Sequence, residues 1–223
     1  MSDHHATLPI VPMPQQQSLE LKTWGGRRRG AGRRSARLRG AVPHTPREEI
    51  RPYQPVHVTL RVAEPVWNLR SERSYRVIDA ALRAARRRPD FRVVHFSVQG
   101  NHVHLIVEAD GTRSFALGMR ALSIRLARRL NVMMGRRGAV FSDRYHAHVL
   151  RTPAEVRNAV RYVLGNFESH AARRGERTSG RWVDPFSSAA RKPPREAQGA
   201  LFLEPVTAAP ETWLLRQAAG AVR

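Results

Sequence analysis

The sequence predicts an α+β protein built on an antiparallel sheet of the ferredoxin-like or RRM-like kind. Three observations predict it. Segments with alternating apolar and polar residues are interspersed with segments of helical periodicity between about residues 55 and 170. Their order is β-α-β-β-α-β-α, and the second and third strands are separated by little more than Gly100-Asn101, which indicates a hairpin. This order also predicts that the helices lie on one face of the sheet.

Each element has a local signal in the sequence. Strands show a period of two, whereas helices show apolar residues three and four positions apart. The clearest of these signals marks the start of the last helix, where Thr152, Pro153 and Glu155 form a capping box with proline at the first helical position. The predicted elements are strands over 56–62, 91–99, 102–109 and 139–151, and helices over 71–87, 114–134 and 152–170.

The domain organisation follows from where this periodicity begins and ends. With 223 residues and 41% hydrophobic content, we expect one globular domain, over residues 53–172. Residues 1–52 lack an apolar period and are predicted to be a basic, largely disordered arm. Residues 173–223 are rich in Pro, Ala and Arg and are predicted to be a tail that docks partly on the domain through its aromatic residues, which are Trp182, Phe186, Phe202 and Trp213.

Charge indicates the class of partner. The chain has 39 Lys and Arg against 18 Asp and Glu, a formal net charge of +21. Because most of this charge is arginine, whose guanidinium matches phosphate geometry, nucleic acid is the expected partner. The absence of cysteine excludes disulfides and thiolate metal sites. No membrane span and no signal-peptide pattern is visible, so we expect a cytoplasmic protein with no membrane partner.

The predicted arm is the most basic part of the chain. Its arginines alternate with glycines that allow the backbone to lie close to a groove. Sequence-independent phosphate contacts and an AT-hook-like contact in the minor groove both fit this composition. The predicted DNA-binding residues of the arm are Arg27, Arg28, Arg29, Arg33 and Arg34.

Two histidines interrupt an otherwise apolar strand in the segment GNHVHLIVE. Residues two apart in a strand point to the same face, so His102 and His104 project together and can reach one ion. A polar sheet face without any ligand explains a bare H-x-H pattern equally well. The last helix adds complementary chemistry, because Tyr162 and Asn166 lie one above the other on its polar face. A second H-x-H pair, His146 and His148, has no amide partner at helical spacing.

The segments GNHVHLIVE and FSDRYHAHVLRTPAEVRNAVRYVLGN, separated by an arginine-rich helix, resemble the single-tyrosine HUH transposases, and within them the REP-associated tyrosine transposases. The resemblance covers about residues 53–170. It implies a ferredoxin-like sheet, metal binding by His102, His104 and Asn166, and Tyr162 as the catalytic nucleophile. In this resemblance Tyr145 and the second H-x-H pair are not site residues. One departure is Phe167, since members often have proline after the amide residue.

The resemblance also implies an activity. A protein of this family cleaves and rejoins single-stranded hairpin DNA through a 5′-phosphotyrosine, with Mg²⁺ or Mn²⁺ as cofactor. The implied protein is bacterial, associated with the nucleoid, and either a monomer or a homodimer. We expect Arg120, Arg125 and Arg128 on the second helix to hold the DNA by phosphate contacts. The alternative is a non-catalytic RRM-like nucleic-acid-binding protein with the same charge.

Overall fold

The computed structural model describes residues 48–52, 54–173, 175, 182–190 and 206–220. The predicted arm therefore lies almost entirely outside the described residues, together with its five candidate arginines and Phe202. The elements in chain order are β1 (Val56–Arg61), α1 (Glu72–Ala85), β2 (Phe91–Val98), β3 (His102–Ala109), α2 (Thr112–Met133), β4 (His146–Val149), α3 (Pro153–Arg173) and α4 (Trp213–Gly220).

The predicted α+β class, the element order and the antiparallel sheet are confirmed. The four strands have the order β2-β3-β1-β4, and every neighbouring pair is antiparallel. The hairpin between β2 and β3 is closed by a hydrogen bond from Gln99 N to His102 O of 2.8 Å. This places β3, the strand with the H-x-H pair, in the interior of the sheet between β2 and β1.

The helices occupy both faces of the sheet, whereas the sequence predicted one. Helices α1 and α2 lie on one face and share a core with alternate residues of β3, including Leu105 and Val107. Helices α3 and α4 lie on the other face and share a smaller core with Ile106. The reason is that the second face also carries buried apolar residues, Val94 of β2 and Ile106 of β3, and therefore needs a cover as well. The prediction of helices on one face therefore holds for α1 and α2 only.

The capping box at the start of α3 is confirmed. Glu155 N donates to Thr152 Oγ1 over 3.2 Å, and the Glu155 carboxylate accepts from Thr152 N and, at 2.6 Å, from Arg151 N. The helix buries Val156, Val160 and Val163. Because its start is fixed, the register of the side chains one to five turns later is fixed as well.

Parts of the predicted tail pack on the domain. Ser188 N donates to Phe96 O and Val98 N donates to Phe186 O, so residues 182–190 line the outer edge of β2. The buried carboxylate of Glu108 accepts from Glu211 N and Thr212 N, both at 2.9 Å, and so holds the segment that leads into α4. Helix α4 in turn packs on α3.

Two helical glycines differ sharply in their surroundings. A Cβ at Gly118 in α2 would lie 2.2 Å from two ring carbons of the fully buried Phe91, whereas a Cβ at Gly165 in α3 would meet nothing within 4 Å. Gly118→Ala is therefore expected to destabilise the protein by about 1–3 kcal/mol through overpacking. Gly165→Ala is expected to stabilise it by about 0.4–1 kcal/mol, because it reduces the entropy of the unfolded chain. Urea denaturation of both variants checks this, and a loss of stability in the Gly165 variant alone would contradict it.

Candidate metal and tyrosine site

The two histidines of β3 lie side by side on the face of the sheet that α3 covers. Their ring centroids are 4.7 Å apart, with the ring planes nearly perpendicular. His102 is half-buried at the end of the strand, and His104 is only 4% exposed. The strand places both on one face, as its period of two requires.

Helix α3 brings a row of polar residues against this pair. The Tyr162 ring centroid lies 5.2 Å from that of His104, and the His170 ring centroid lies 6.5 Å from that of His102. Asn166 is one turn from each of these two helix residues and is 1% exposed. Asn166 therefore faces the histidine pair. Tyr162 remains 50% exposed, so its ring is accessible to a ligand from solvent.

Two buried polar atoms at this site have no hydrogen-bond partner among the described residues. They are Nε2 of His104 and Oδ1 of Asn166. A buried polar atom without a partner is costly, by about 1–3 kcal/mol, unless something else satisfies it. An imidazole nitrogen and an amide oxygen are both ligands for divalent cations, so this pair of atoms, on side chains that β3 and α3 bring together, fits a metal ion. No cluster of three or more His, Cys, Asp or Glu side chains suited to a metal occurs in the described part of the chain, so the candidate set requires the amide.

The other nitrogens of the histidines are held by neighbouring side chains. His102 Nδ1 lies 2.7 Å from Asn101 Oδ1. His104 Nδ1 lies 3.1 Å from Thr59 Oγ1 and 3.2 Å from His57 Nε2. In both histidines the contacts to the protein use Nδ1, which leaves Nε2 for a ligand.

The pKa values of three histidines in this region lie below the ordinary value, mainly because of burial. The pKa is lowered to about 4 in His57 and His102 and to about 3 in His104, and the proximity of other histidines adds to the effect. Their imidazoles are consequently neutral at pH 7, which is the form that binds a cation.

These depressed pKa values predict a dependence of stability on pH. An unfolded histidine has a pKa of about 6.5, so between pH 6.5 and the folded values the unfolded state binds more protons than the folded state. The free energy of unfolding should therefore be at its full value above about pH 6.5 and fall as the pH is lowered towards 4. His104 alone contributes about 2 kcal/mol of this loss between pH 6.5 and 5. Urea titrations of the metal-free protein at pH 7.5 and 5.0 measure it, with His104→Gln as the control that shows a smaller difference. Equal pH dependence in the two proteins would contradict the assignment.

Of the remaining candidates from the sequence, Tyr145 and the arginines of α2 lie on the other face of the sheet, whereas His146 and His148 lie opposite Thr59 and His57 on the face of the histidine pair. Tyr145 packs edge-on against Phe115 in the core under α2, on the other face of the sheet from α3. His146 and His148 are exposed on the edge strand β4. Of the arginines on α2, Arg120 and Arg128 are exposed and Arg125 is half-buried, and this helix covers the face opposite the histidine pair.

Sequence reasoning missed three residues of β1 at the site. His57 and Thr59 on β1 contact His104, and β1 pairs with β3 so that Thr59 lies directly opposite His104. Arg61, which is exposed, lies directly opposite His102. The available signal was that all three occupy the polar positions of an alternating strand. The sequence did not show which strand pairs with β1.

A cavity of about 400 Å³ opens next to His102. Three of its lining residues carry amide side chains, whose groups can donate and accept hydrogen bonds. The lining includes Asn68, Gln99, Asn101, Phe167 and His170. There is thus room for a small organic group beside the histidine pair. Among the described residues, no helix is both long enough and apolar enough to cross a membrane.

Comparison with known proteins identifies the fold. The chain matches no protein-family model and no curated protein. Among solved structures, it is similar to a REP-associated tyrosine transposase bound to a REP hairpin, with a TM-score of 0.50 and 18% identity over 76% of this chain and 93% of the other. A protein from Deinococcus radiodurans R1 described as a putative transposase aligns with a TM-score of 0.38 and 14% identity, over 64% of this chain and 98% of that one. The first neighbour thus has the fold that the resemblance implies.

Proposed function

We propose that the protein is a DNA transposase or endonuclease that cleaves and rejoins single-stranded hairpin DNA through a 5′-phosphotyrosine intermediate, with the aid of a divalent metal ion. One observation carries this proposal. An exposed tyrosine, Tyr162, lies against His104, and this histidine and Asn166 each bear a buried polar atom that has no partner in the described part of the chain. A nucleophile next to unsatisfied metal ligands is the arrangement that phosphodiester cleavage by a tyrosine requires.

The metal ligands in this proposal are His102, His104 and Asn166. Two imidazole nitrogens and one amide oxygen leave further positions for water and phosphate oxygens, which suits Mg²⁺ or Mn²⁺ as the working cofactor. When bound, such an ion neutralises charge on the scissile phosphate and stabilises the transition state. The fold holds these ligands in a fixed orientation, because the side chains of His104 and Asn166 are almost completely buried.

The reaction conserves the number of phosphodiester bonds. The Tyr162 oxygen attacks phosphorus and loses its proton to water, while the bond from phosphorus to the 3′ oxygen breaks and that oxygen takes up a proton. The products are a 5′-phosphotyrosine and a free 3′-OH. Attack of another 3′-OH on the phosphotyrosine reverses the step and joins two strands, so no nucleotide cofactor is required.

Arginines outside the metal site would bind the DNA. Arg61 lies beside His102 and is placed to contact a phosphate near the reacting bond. The arginines on α2 are on the opposite face, so they would contact a part of a hairpin that extends past the edge of the sheet. The similar solved protein binds a REP hairpin, which supports a hairpin as the ligand of this chain. Affinity should decrease steeply with salt.

A covalent trapping experiment tests the proposal. The full chain is incubated with a pool of 3′-labelled single-stranded oligonucleotides, each with a palindrome that forms a hairpin and with randomised flanks, in the presence of Mn²⁺. Cleavage should transfer the labelled 3′ fragment to the protein, and proteolysis with mass spectrometry should place the adduct on the peptide containing Tyr162. The chelator EDTA and fully double-stranded versions of the same oligonucleotides are the controls and should prevent labelling.

The alternative function gives a different result in the same experiment. A non-catalytic nucleic-acid-binding protein would retain the hairpins in a filter-binding assay without acquiring label. Labelling that persists in EDTA, or an adduct on another residue, would overturn the proposed mechanism.

A further inference from the structure

His57 lies in the centre of the site but has no part in the chemistry proposed above. Its ring is stacked on His104 at a centroid distance of 5.2 Å and an interplanar angle of 30°. It also meets the edge of Tyr162, with ring centroids 5.8 Å apart. His57 therefore contacts both a proposed metal ligand and the proposed nucleophile.

The contact between His57 and His104 joins two ring nitrogens. His57 Nε2 and His104 Nδ1 are 3.2 Å apart, and two neutral imidazoles can share such a hydrogen bond only if one nitrogen donates and the other accepts. Nε2 of His104 is buried and has no hydrogen-bond partner among the described residues. A hydrogen on that nitrogen would be unsatisfied, whereas a lone pair there can bind a cation. The favourable arrangement therefore has the hydrogen on Nδ1 of His104, donated to His57.

His102 shows the same arrangement with a different partner. Its Nδ1 lies 2.7 Å from Asn101 Oδ1, and an amide oxygen can only accept, so the hydrogen of His102 is on Nδ1. Its Nε2 is consequently also left with a lone pair. The same nitrogen thus carries the lone pair in two histidines whose rings are adjacent, and each ring is oriented by a side chain that contacts its Nδ1.

We propose that His57 is a positioning residue that fixes the tautomer and ring orientation of His104 by accepting the hydrogen from its Nδ1. This inference rests on the proposed function, since His104 is oriented for a metal ion. Thr59 Oγ1, 3.1 Å from the same nitrogen, can either accept or donate a hydrogen, so it is compatible with this tautomer but does not fix it in the absence of His57. Outer partners of this kind typically change metal affinity by about 10–100-fold when removed.

The test compares three substitutions of His57 in the full chain. Glutamine can still accept the hydrogen through its side-chain oxygen, whereas leucine cannot, and phenylalanine keeps the stacked ring without any nitrogen. The matched control is His148→Leu, because His148 is the exposed cross-strand neighbour of His57 on β4. Circular dichroism establishes whether each variant folds. If the leucine variant does not fold, the phenylalanine variant alone is compared with the wild type.

Two measurements are made. Long-range ¹H–¹⁵N NMR of the metal-free protein at pH 7.5 reports the tautomer of His104, and calorimetry with Mn²⁺ reports the dissociation constant. The wild type, His57→Gln and His148→Leu should show a single His104 tautomer with the hydrogen on Nδ1. In the leucine and phenylalanine variants the tautomers should mix, and the Mn²⁺ dissociation constant should rise by about 10-fold or more.

The outcomes distinguish this inference from the proposed function. If the leucine and phenylalanine variants keep the wild-type tautomer and Mn²⁺ affinity, the positioning role is overturned. If the wild type does not bind Mn²⁺, the proposed function is overturned, while the NMR comparison on the metal-free protein still decides the role of His57.

Discussion

Tyr162→Phe is expected to abolish covalent attachment of single-stranded DNA while leaving DNA binding intact. The substitution removes one oxygen atom and keeps the ring that lies against His57 and His104. Because that oxygen forms the bond to phosphorus, its loss should reduce the rate of adduct formation by roughly 10³-fold or more. The measurement is the transfer of label from a 3′-labelled hairpin oligonucleotide in Mn²⁺, together with filter binding of the same oligonucleotide.

The matched control for this variant is Tyr145→Phe. Tyr145 is the nearest alternative in the sequence, but its ring packs in the other core, edge-on to Phe115. The Tyr145 variant should form adducts at close to the wild-type rate. If the Tyr162 variant formed adducts at the wild-type rate, Tyr162 would not be the nucleophile.

The second large effect concerns a buried ion pair that connects the tail to the site. Arg70 donates two hydrogen bonds to the carboxylate of Asp184, both of 2.9 Å, and a third to Val98 O. The two charged side chains are only 12% and 1% exposed. Removing one partner of such a pair leaves an uncompensated buried charge, so Asp184→Ala should lower the free energy of unfolding by about 3 kcal/mol or more.

Urea denaturation measures this effect, and an exposed ion pair supplies the comparison. Arg76 and Glu72 lie one turn apart on α1 at 3.9 Å, with side chains 52% and 42% exposed. Arg76→Gln should change stability by less than about 0.5 kcal/mol, because a solvated pair contributes little. Similar losses in the two variants would show that the Arg70 pair is no more important than a surface contact.

The same ion pair also lies close to the proposed metal ligand Asn166. The Arg70 guanidinium lies 3.7 Å from the ring centroid of Phe167, and the ring of Trp182 is 5.2 Å from that of Phe167. Phe167 follows Asn166 directly in α3. Loss of the ion pair between Arg70 and Asp184 should therefore also disturb the orientation of the Asn166 amide. We expect weaker Mn²⁺ binding in the Asp184→Ala variant than in the Arg76→Gln control.

Phe167 is the position at which the chain departs from the family pattern, and helix α3 continues through it. Members of the family that the sequence resembles often have proline at this position, and proline would remove a backbone hydrogen bond and interrupt the helix. Here α3 continues to Arg173, and the phenylalanine ring is held by Arg70 and Trp182. The helix therefore stays regular through Asn166 and on to His170.

The sequence by itself determined the elements and the residues that could act together. The period of two in β3 places His102 and His104 on one face, and helical spacing places Tyr162 above Asn166. The capping box fixed the start of α3 and with it the register of that pair. These features are local, because they depend on backbone geometry and on neighbours within a few residues. The structure accordingly reproduces them.

Only the tertiary structure decided which surfaces meet. Local periodicity cannot tell which face of an apolar strand a distant helix will cover, and so α3 lies across the sheet from α1 and α2 and not beside them. Strand pairing likewise brought His57 and Thr59 behind His104, although 45 or more residues separate them in the chain. Within the described ranges, Nε2 of His104 and Oδ1 of Asn166 have no partner, because two distant elements bury them together without bonding them to each other. Such contacts depend on the burial of whole surfaces, which is a property of the folded chain and not of any segment within it.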